Sequence, residues 1–256
     1  MMTTPKNKRG PRKISVINYK GGTGKTATAV HLAHGLAISG KSVLMIDTDP
    51  QGSSSYHLGV QSDKSIYDLL VGGAEVADCK IQARQNLDII CSNERVFPAE
   101  LALGRMNNRE LVLKGKLDGI TGYDFVIIDC APSINLINQN ALLYSNEVVL
   151  PVSMEYMSLV GIRQLLNNIK LIHKIFDHEI SRIRVVPTFY ESKKKKSAEI
   201  LTSLNRVFPN QLLSPIRSSA ALSEAPGFSQ TAFEYAPKST GAVDYTKLVN
   251  EVLANG

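Results

Sequence analysis

The stretch NYKGGTGKT, Asn18 to Thr26, lies between a short β-rich run, KISVIN (13–18), and a helical run, TATAVHLAHGLAIS (26–39). A glycine-rich turn from a buried strand into a helix start aims several backbone N–H groups at one point, where an anion is held. Gly21, Gly22 and Gly24 permit backbone angles and close approaches that side chains block. Gly24, Lys25 and Thr26 match the end of the phosphate-loop pattern G-x-x-x-x-G-K-[ST]. The first glycine of that pattern would fall at residue 19, which is Tyr19, and a second lysine, Lys20, follows it.

The rest of the chain alternates in the same way. SVLMID (42–47), LDIICS (87–92), DFVIID (124–129), EVVLPVS (147–153) and RIRVVPT (182–188) read as strands, and QLLSPI (211–216) as an edge strand. Helical stretches are expected over 135–145, 155–176, 194–207 and 240–254. Continuous apolar strands are buried on both faces. The expected class is therefore α/β, with a mostly parallel twisted sheet flanked by helices. No internal repeat or long linker divides it. We expect a basic mobile arm over 1–12 and one domain over 13–256.

Composition removes several classes. Apolar residues make up 43% of the 256, which excludes a disordered chain. No apolar run approaches the roughly 20 residues that span a bilayer. The basic start, MMTTPKNKRGPRK, lacks the apolar stretch of a secretory signal, so a cytoplasmic location is expected. Cys79, Cys91 and Cys130 form no C-x-x-C pair and read as buried thiols. Charge is uneven. Residues 1–13 carry five basic side chains and no acidic one, whereas 14–150 carry eleven basic and fourteen acidic. Residues 151–256 carry thirteen basic and nine acidic. Two basic ends could form a footprint for a polyanion, although from composition alone solvated surface lysine is the favoured reading.

Two nucleotide patterns compete at the loop. Gly22 to Ala27 fits the dinucleotide fingerprint G-x-G-x-x-G/A, and Asp47 lies 20 residues beyond Ala27 at a strand end. A dinucleotide-dependent oxidoreductase is thus an alternative. It leaves Lys25, Thr26 and a second strand-end acid, Asp129, without roles. A phosphate loop uses all three: the lysine meets the β/γ-phosphates, the hydroxyl holds Mg²⁺, and a distant strand-end Asp completes the metal site.

The loop KGGTGKT resembles the deviant Walker A loop of the ParA/MinD family of P-loop ATPases. VLMIDTDPQGSSS (43–55) resembles the family's second-strand motif, and YDFVIIDCAPS (123–133) its Walker B strand. VVLPVSMEYMSLVGIRQLL (148–166) is similar to the segment that follows. LSEAPGFSQTAFEYAPKSTGAVDY (222–245) resembles the C-terminal signature of short ParA proteins. The resemblance covers most of the chain. It implies a P-loop NTPase fold, ATP and Mg²⁺ as cofactors, and Mg-dependent ATP hydrolysis.

The resemblance also implies roles. Gly21, Gly22, Thr23, Gly24, Lys25, Thr26 and Ala27 bind the phosphates. Lys25 neutralises them, Thr26 ligates Mg²⁺, and Asp129 holds the metal through water. Asp49 orients the attacking water and Asp47 supports the hydrated metal; capping of the helix after Pro50 is the plainer role for both. Lys20 crosses to the nucleotide of a second copy, giving a homodimer in the ATP state. The adenine is expected near Pro187-Thr188 and Pro215-Ile216-Arg217. Cys130 is expected to pack, and His31, His34 and His173 to have no catalytic role.

ESKKKKSAE (191–199) places four lysines at a predicted helix start, where the helix dipole opposes them. Family members bind double-stranded DNA non-specifically as dimers, through basic residues of this region. Lys193, Lys194, Lys195, Lys196 and Arg217 are the expected contacts, with Arg182, Arg184, Arg206 and Lys238 as further candidates. Such binding is phosphate-driven and salt-dependent. Short relatives often carry arginines before LSEAP, where this chain has Ser218 and Ala221. The expected partner is a ParB-like or adaptor protein that stimulates hydrolysis, and the expected location is the nucleoid. The cargo is a chromosome, a plasmid or a protein assembly. A MinD-like membrane-associated ATPase is an alternative, but its group ends in a basic amphipathic tail. VDYTKLVNEVLANG reads instead as a docking helix, so no membrane contact is expected. Iron–sulfur relatives need cysteine pairs that are missing here.

Overall fold

The computed structural model describes residues 10–254, so residues 1–9 of the basic arm lie outside it. Arg12, the last residue of that arm, is already in the first strand. β1 (Arg12–Val16) leads into α1 (Lys25–Ile38), and β2 (Val43–Asp47) into α2 (Ser53–Leu58). α3 (Ile66–Leu70) and α4 (Val76–Cys79) precede β3 (Lys80–Arg84) and β4 (Leu87–Ile90). α5 (Val96–Leu103) and α6 (Val112–Leu117) precede β5 (Phe125–Asp129). Then come α7 (Leu136–Tyr144), β6 (Glu147–Ser153), α8 (Ser158–Phe176) and β7 (Arg182–Thr188). α9 (Lys195–Val207), α10 (Ala220–Glu224), α11 (Ala232–Tyr235) and α12 (Thr240–Ala254) complete the described chain.

The strands form one sheet in the order β3-β4-β2-β5-β1-β6-β7. Every neighbouring pair is parallel except β3 with β4. Alternation along the central strands explains the helix layers. Leu44, Ile46, Val126 and Ile128 point into one core, shared with α3 and α5 to α9. Val43, Met45, Phe125 and Ile127 point into the other, shared with α1, α2 and α12. Both faces are dry, which is why these strands read as unbroken apolar runs.

Two local expectations change. QLLSPI is not a full strand: Leu212 makes a single parallel bridge to Val185, and the segment runs on along β7 through Ile216 N–H to Pro187 O at 2.8 Å. Pro215 has no N–H to extend that ladder. β3 has no signal in the sequence, because KIQAR is half-exposed and gains its order by pairing antiparallel at the sheet edge. α12 buries Tyr245, Leu248, Val249 and Val252, and it packs on α1. Among the described residues, no helix is long and apolar enough to cross a membrane.

Candidate functional site

The site forms where β1, β2 and β5 end. β5 lies between the other two, and Asp129 is in register with Val16 on one side and Asp47 on the other. The sheet therefore places the loop after β1 and two strand-end acids at one edge. This topology also separates β1 from β2. A dinucleotide fold keeps its first two strands adjacent, so the oxidoreductase alternative fails. Asp47 is in any case committed, since its two oxygens accept the Asp49 and Ser54 backbone N–H groups at 3.0 and 3.1 Å.

The loop is shaped by its glycines and tied on both flanks. Gly22 and Gly24 have φ of 68° and 82°, in the left-handed region where a side chain is strained. Gly21 has no such φ, and a Cβ there would meet nothing within 4 Å. Its value is open space for a ligand, not backbone freedom. Tyr19 packs half-buried against the core, and its hydroxyl accepts the Asn168 amide of α8. Thr188, at the end of β7, donates its hydroxyl to Thr23 O at 2.8 Å. An anchoring aromatic thus replaces the glycine of the standard pattern.

Lys25 is buried, and its Nζ donates to Lys20 O at 3.0 Å. Burial lowers its pKa, opposed by the charges of Asp129 and Asp49. Asp47 and Asp129 are both fully buried. Desolvation is the main cause that raises each pKa, that of Asp129 to about 6. Asp129 adds repulsion at Asp47, and the Ser54 and Thr26 hydroxyls oppose the shift at Asp129. Ser54, absent from the expected roles, bridges the two acids: its N–H binds Asp47 and its hydroxyl donates to Asp129 Oδ2 at 2.8 Å. Asp129 Oδ1 is buried without a hydrogen-bond partner. Asp49 is partly exposed and accepts the Gln51 N–H at 3.0 Å.

Among the described residues, no group of three or more His, Cys, Asp or Glu side chains could enclose a metal ion. Magnesium keeps several waters and uses one or two carboxylates together with substrate phosphates. The unpartnered Asp129 oxygen and the nearby Thr26 hydroxyl fit that pattern.

Lys20 is partly exposed, and its Nζ pairs with Glu155 and reaches Ser158 Oγ at 3.3 Å. A cavity of about 520 Å³ opens beside Gly24 and Ala27, lined by Thr188, Phe189, Ile216 and Arg217 among others. Pro215 and Pro187, expected with them, are not among the lining residues. Phe189 is exceptional: a bulky residue at φ 53°, half-exposed, in a region that side chains of its kind avoid. No sequence signal marks it, because a strained φ leaves no compositional trace.

The basic candidates separate. Lys193 to Lys196 are all exposed at the start of α9. Arg217 lines the large cavity instead, with Nε and an Nη held by the two Asp244 oxygens at 2.9 and 2.7 Å. Arg182 and Arg184 converge with Arg12 on Glu147 at the far end of the sheet, and Arg184 is buried. Those arginines build structure at that end, away from the loop. Cys130 is packed as expected, and burial pushes its thiol up. His31 is buried too. Its Nδ1–H meets Ala27 O at 2.7 Å, and its Nε2 accepts the Ala232 N–H at 2.9 Å, a pattern only the neutral ring satisfies.

Comparison with known proteins agrees with this geometry. The family described as "AAA domain" matches residues 11–182. The sporulation initiation inhibitor protein Soj of Bacillus subtilis is 37% identical over 249 residues, covering 95% of this chain and 98% of that protein. The chromosome partitioning protein ParA of Caulobacter vibrioides is 32% identical over 251 residues, covering 95% and 94%. A solved structure of cobyrinic acid a,c-diamide synthase from Mycobacterium smegmatis, with bound ATP analog and magnesium, superposes with a TM-score of 0.82. It is 27% identical and covers 96% of both chains.

Proposed function

The chain belongs to the ParA/Soj-type partitioning ATPases, in the ParA/MinD family of P-loop ATPases, and from this we propose an ATP-switched dimer that binds DNA non-specifically and positions a cargo. A ParB-like or adaptor protein stimulates its ATP hydrolysis. The observation that carries the reading is one loop with two lysines of different address. Lys25 is buried and donates to its own loop, while Lys20 is partly exposed in an ion pair with Glu155.

The chain's own residues define the chemistry. The loop N–H groups and Lys25 bind the phosphates and offset their charge. Thr26 and Asp129 hold Mg²⁺, which supplies charge neutralisation at the phosphoryl group. Ser54 keeps Asp129 and Asp47 in fixed orientation. Asp49, partly exposed and next to that pair, orients a water for attack. Positioning and charge neutralisation suffice for phosphoryl transfer. The adenine occupies the larger cavity, against Ile216 and Phe189.

Lys20 leaves Glu155 to meet the phosphates of a partner copy's nucleotide. Two nucleotide-bearing faces repel, and a lysine in trans offsets that repulsion. The Lys20→Ala variant is expected to bind ATP yet lose ATP-dependent dimerisation and hydrolysis. A normal ATP dimer in sedimentation would overturn this role. Replacing Lys193 to Lys196 with glutamate is expected to abolish DNA co-sedimentation with ATP while sparing nucleotide binding. Unchanged DNA affinity would remove the lysine run from the interface. The buried apolar face of α12 favours DNA over lipid as the polyanionic surface.

A further inference from the structure

A second cavity, of about 640 Å³, is bounded by the 60–64 segment, β3 and the residues that follow β4. It shares no lining residue with the cavity beside Gly24. Its buried walls include Ser55 of α2 and, just beyond β4, Cys91 and Ser92. Ile81 of β3 adds an apolar wall, and the exposed rim carries Asp63, Lys64 and Asp78.

Two hydroxyl groups set this cavity apart from an ordinary surface cleft. Ser55 is 8% exposed and Ser92 7%, and neither Oγ has a hydrogen-bond partner. The Cys91 thiol beside Ser55 is a weak donor and acceptor, and no hydrogen bond of normal geometry joins them. A buried hydroxyl left unpaired costs stability, so such groups are kept where something outside the chain pairs them. The neighbouring residue shows the contrast. Ser54 commits its N–H to Asp47 and its hydroxyl to Asp129. Ser55 binds neither acid and lines the cavity instead.

The lining decides the class of ligand. At the rim, Lys64 is paired with Asp78 at 3.5 Å, and Asp63 has no ion pair among the described residues. An anion would meet that carboxylate. A cation would find no charge at the buried end, where burial raises the Cys91 pKa and keeps the thiol neutral. A hydroxyl group suits both levels. It donates to a rim carboxylate, and it both gives and takes hydrogen bonds with Ser55, Ser92 and the Asn93 amide. The C–H faces of a carbon skeleton suit Ile81.

We infer that this cavity binds a small uncharged polyhydroxyl compound, a sugar or polyol, whose hydroxyl groups pair with Ser55 and Ser92. The site is separate from the nucleotide reading and does not require it.

The test compares full-length wild type, Ser55→Ala/Ser92→Ala, and a Ser181→Ala/Ser203→Ala control. Each is titrated with ribose and with inositol, and with acetate and methylammonium as charged comparators. Backbone amide resonances of isotope-labelled protein report binding, at Ser55, Ser92 and Asn93 in the wild type and at Asn93 throughout. At least one neutral probe is expected to saturate the wild-type shifts with a Kd of about 5 mM or tighter. The Ser55→Ala/Ser92→Ala variant is expected to bind about tenfold more weakly. It is also expected to melt at or above wild type, because two unpaired hydroxyls leave its interior. The control keeps the wild-type affinity. Wild-type shifts that stay linear with both neutral probes would mean a cavity filled by water only, and would overturn the site. Saturation by acetate or methylammonium alone would overturn the ligand class. Equal affinity in wild type and the Ser55→Ala/Ser92→Ala variant would overturn the role of the two hydroxyls. Melting of that variant below wild type would show the hydroxyls already satisfied in the free protein, against the premise of the site.

Discussion

Buried carboxylates occur at both ends of the sheet, in opposite surroundings. At the N-terminal end, Glu147 takes Arg12 through both oxygens at 2.7 and 2.8 Å, with Arg184 at 3.4 Å and Arg182 at 3.8 Å. Arg12 also donates to Val252 O at 2.7 Å and so ties α12 to the sheet. At the C-terminal end, Asp47 and Asp129 face each other across adjacent strands, and one Asp129 oxygen has no partner. The first cluster sets opposite charges against each other. The second keeps two like charges close, the arrangement that favours a divalent cation. One end of the sheet pairs opposite charges, and the other holds like charges together.

The sharpest way to break this contrast is to remove Glu147. Glu147→Ala removes the buried carboxylate on which three guanidinium groups converge, that of Arg184 buried as well, and we expect a loss of about 3–5 kcal/mol in urea unfolding. Asp129→Asn, measured in the same way without magnesium, is expected to show no such loss. Equal destabilisation by both would show that the two ends do not differ.

Lys25→Ala tests the functional end. Phosphate release from ATP is expected to fall by about a hundredfold or more, roughly 3 kcal/mol of transition-state stabilisation, with little change in melting temperature. A rate within about tenfold of wild type would place the phosphates elsewhere.

The raised Asp129 pKa gives a pH test. Its folded value, about 6, lies above the ordinary 3.8, so the folded state holds the proton more tightly. Stability without metal should therefore fall as pH rises from about 4 through about 6, by on the order of 2 kcal/mol, and then level off. Thermal melts in chelator across that window should be flatter for Asp129→Asn. Magnesium should bind more tightly as pH rises through the same range, because proton and metal compete for one carboxylate.

The smallest effect concerns the link between the ends. Tyr245 of α12 shares a 3.2 Å hydrogen bond with Thr28 of α1, and its ring stacks on His31. Tyr245→Phe keeps the stack and removes the hydrogen bond, so a loss of about 1 kcal/mol is expected in chemical denaturation. A loss several times larger would mean that the hydroxyl supports more than this contact.

Legibility followed the range of the forces. The six main apolar runs emerge as strands because burial on both faces leaves a continuous apolar signature. The weak cases failed for physical reasons: β3 gains order from edge pairing, and Pro215 keeps the 211–216 segment from completing a strand. At the site, the backbone angles of Gly22 and Gly24 were readable because a phosphate loop demands them locally. Ser54 was within a quoted motif, yet its bridging role depends on β2 and β5 lying side by side. The partners of the arginine candidates were not legible, because charge in sequence does not reveal which carboxylate lies opposite. Arg217 meets Asp244, and Arg184 meets Glu147.

By itself, the sequence determined the α/β class, the anion-binding turn with its two lysines, and the acids that end two apolar strands. Those are consequences of local geometry and of apolar patterning, and both are written along the chain. The tertiary structure alone decided that β5 separates β1 from β2, that Asp47 and Asp129 share one edge, and that Phe189 adopts a strained angle beside the cavity at Gly24. These depend on contacts between residues far apart in the chain, where the packing of the whole sheet sets the neighbours and no local pattern can.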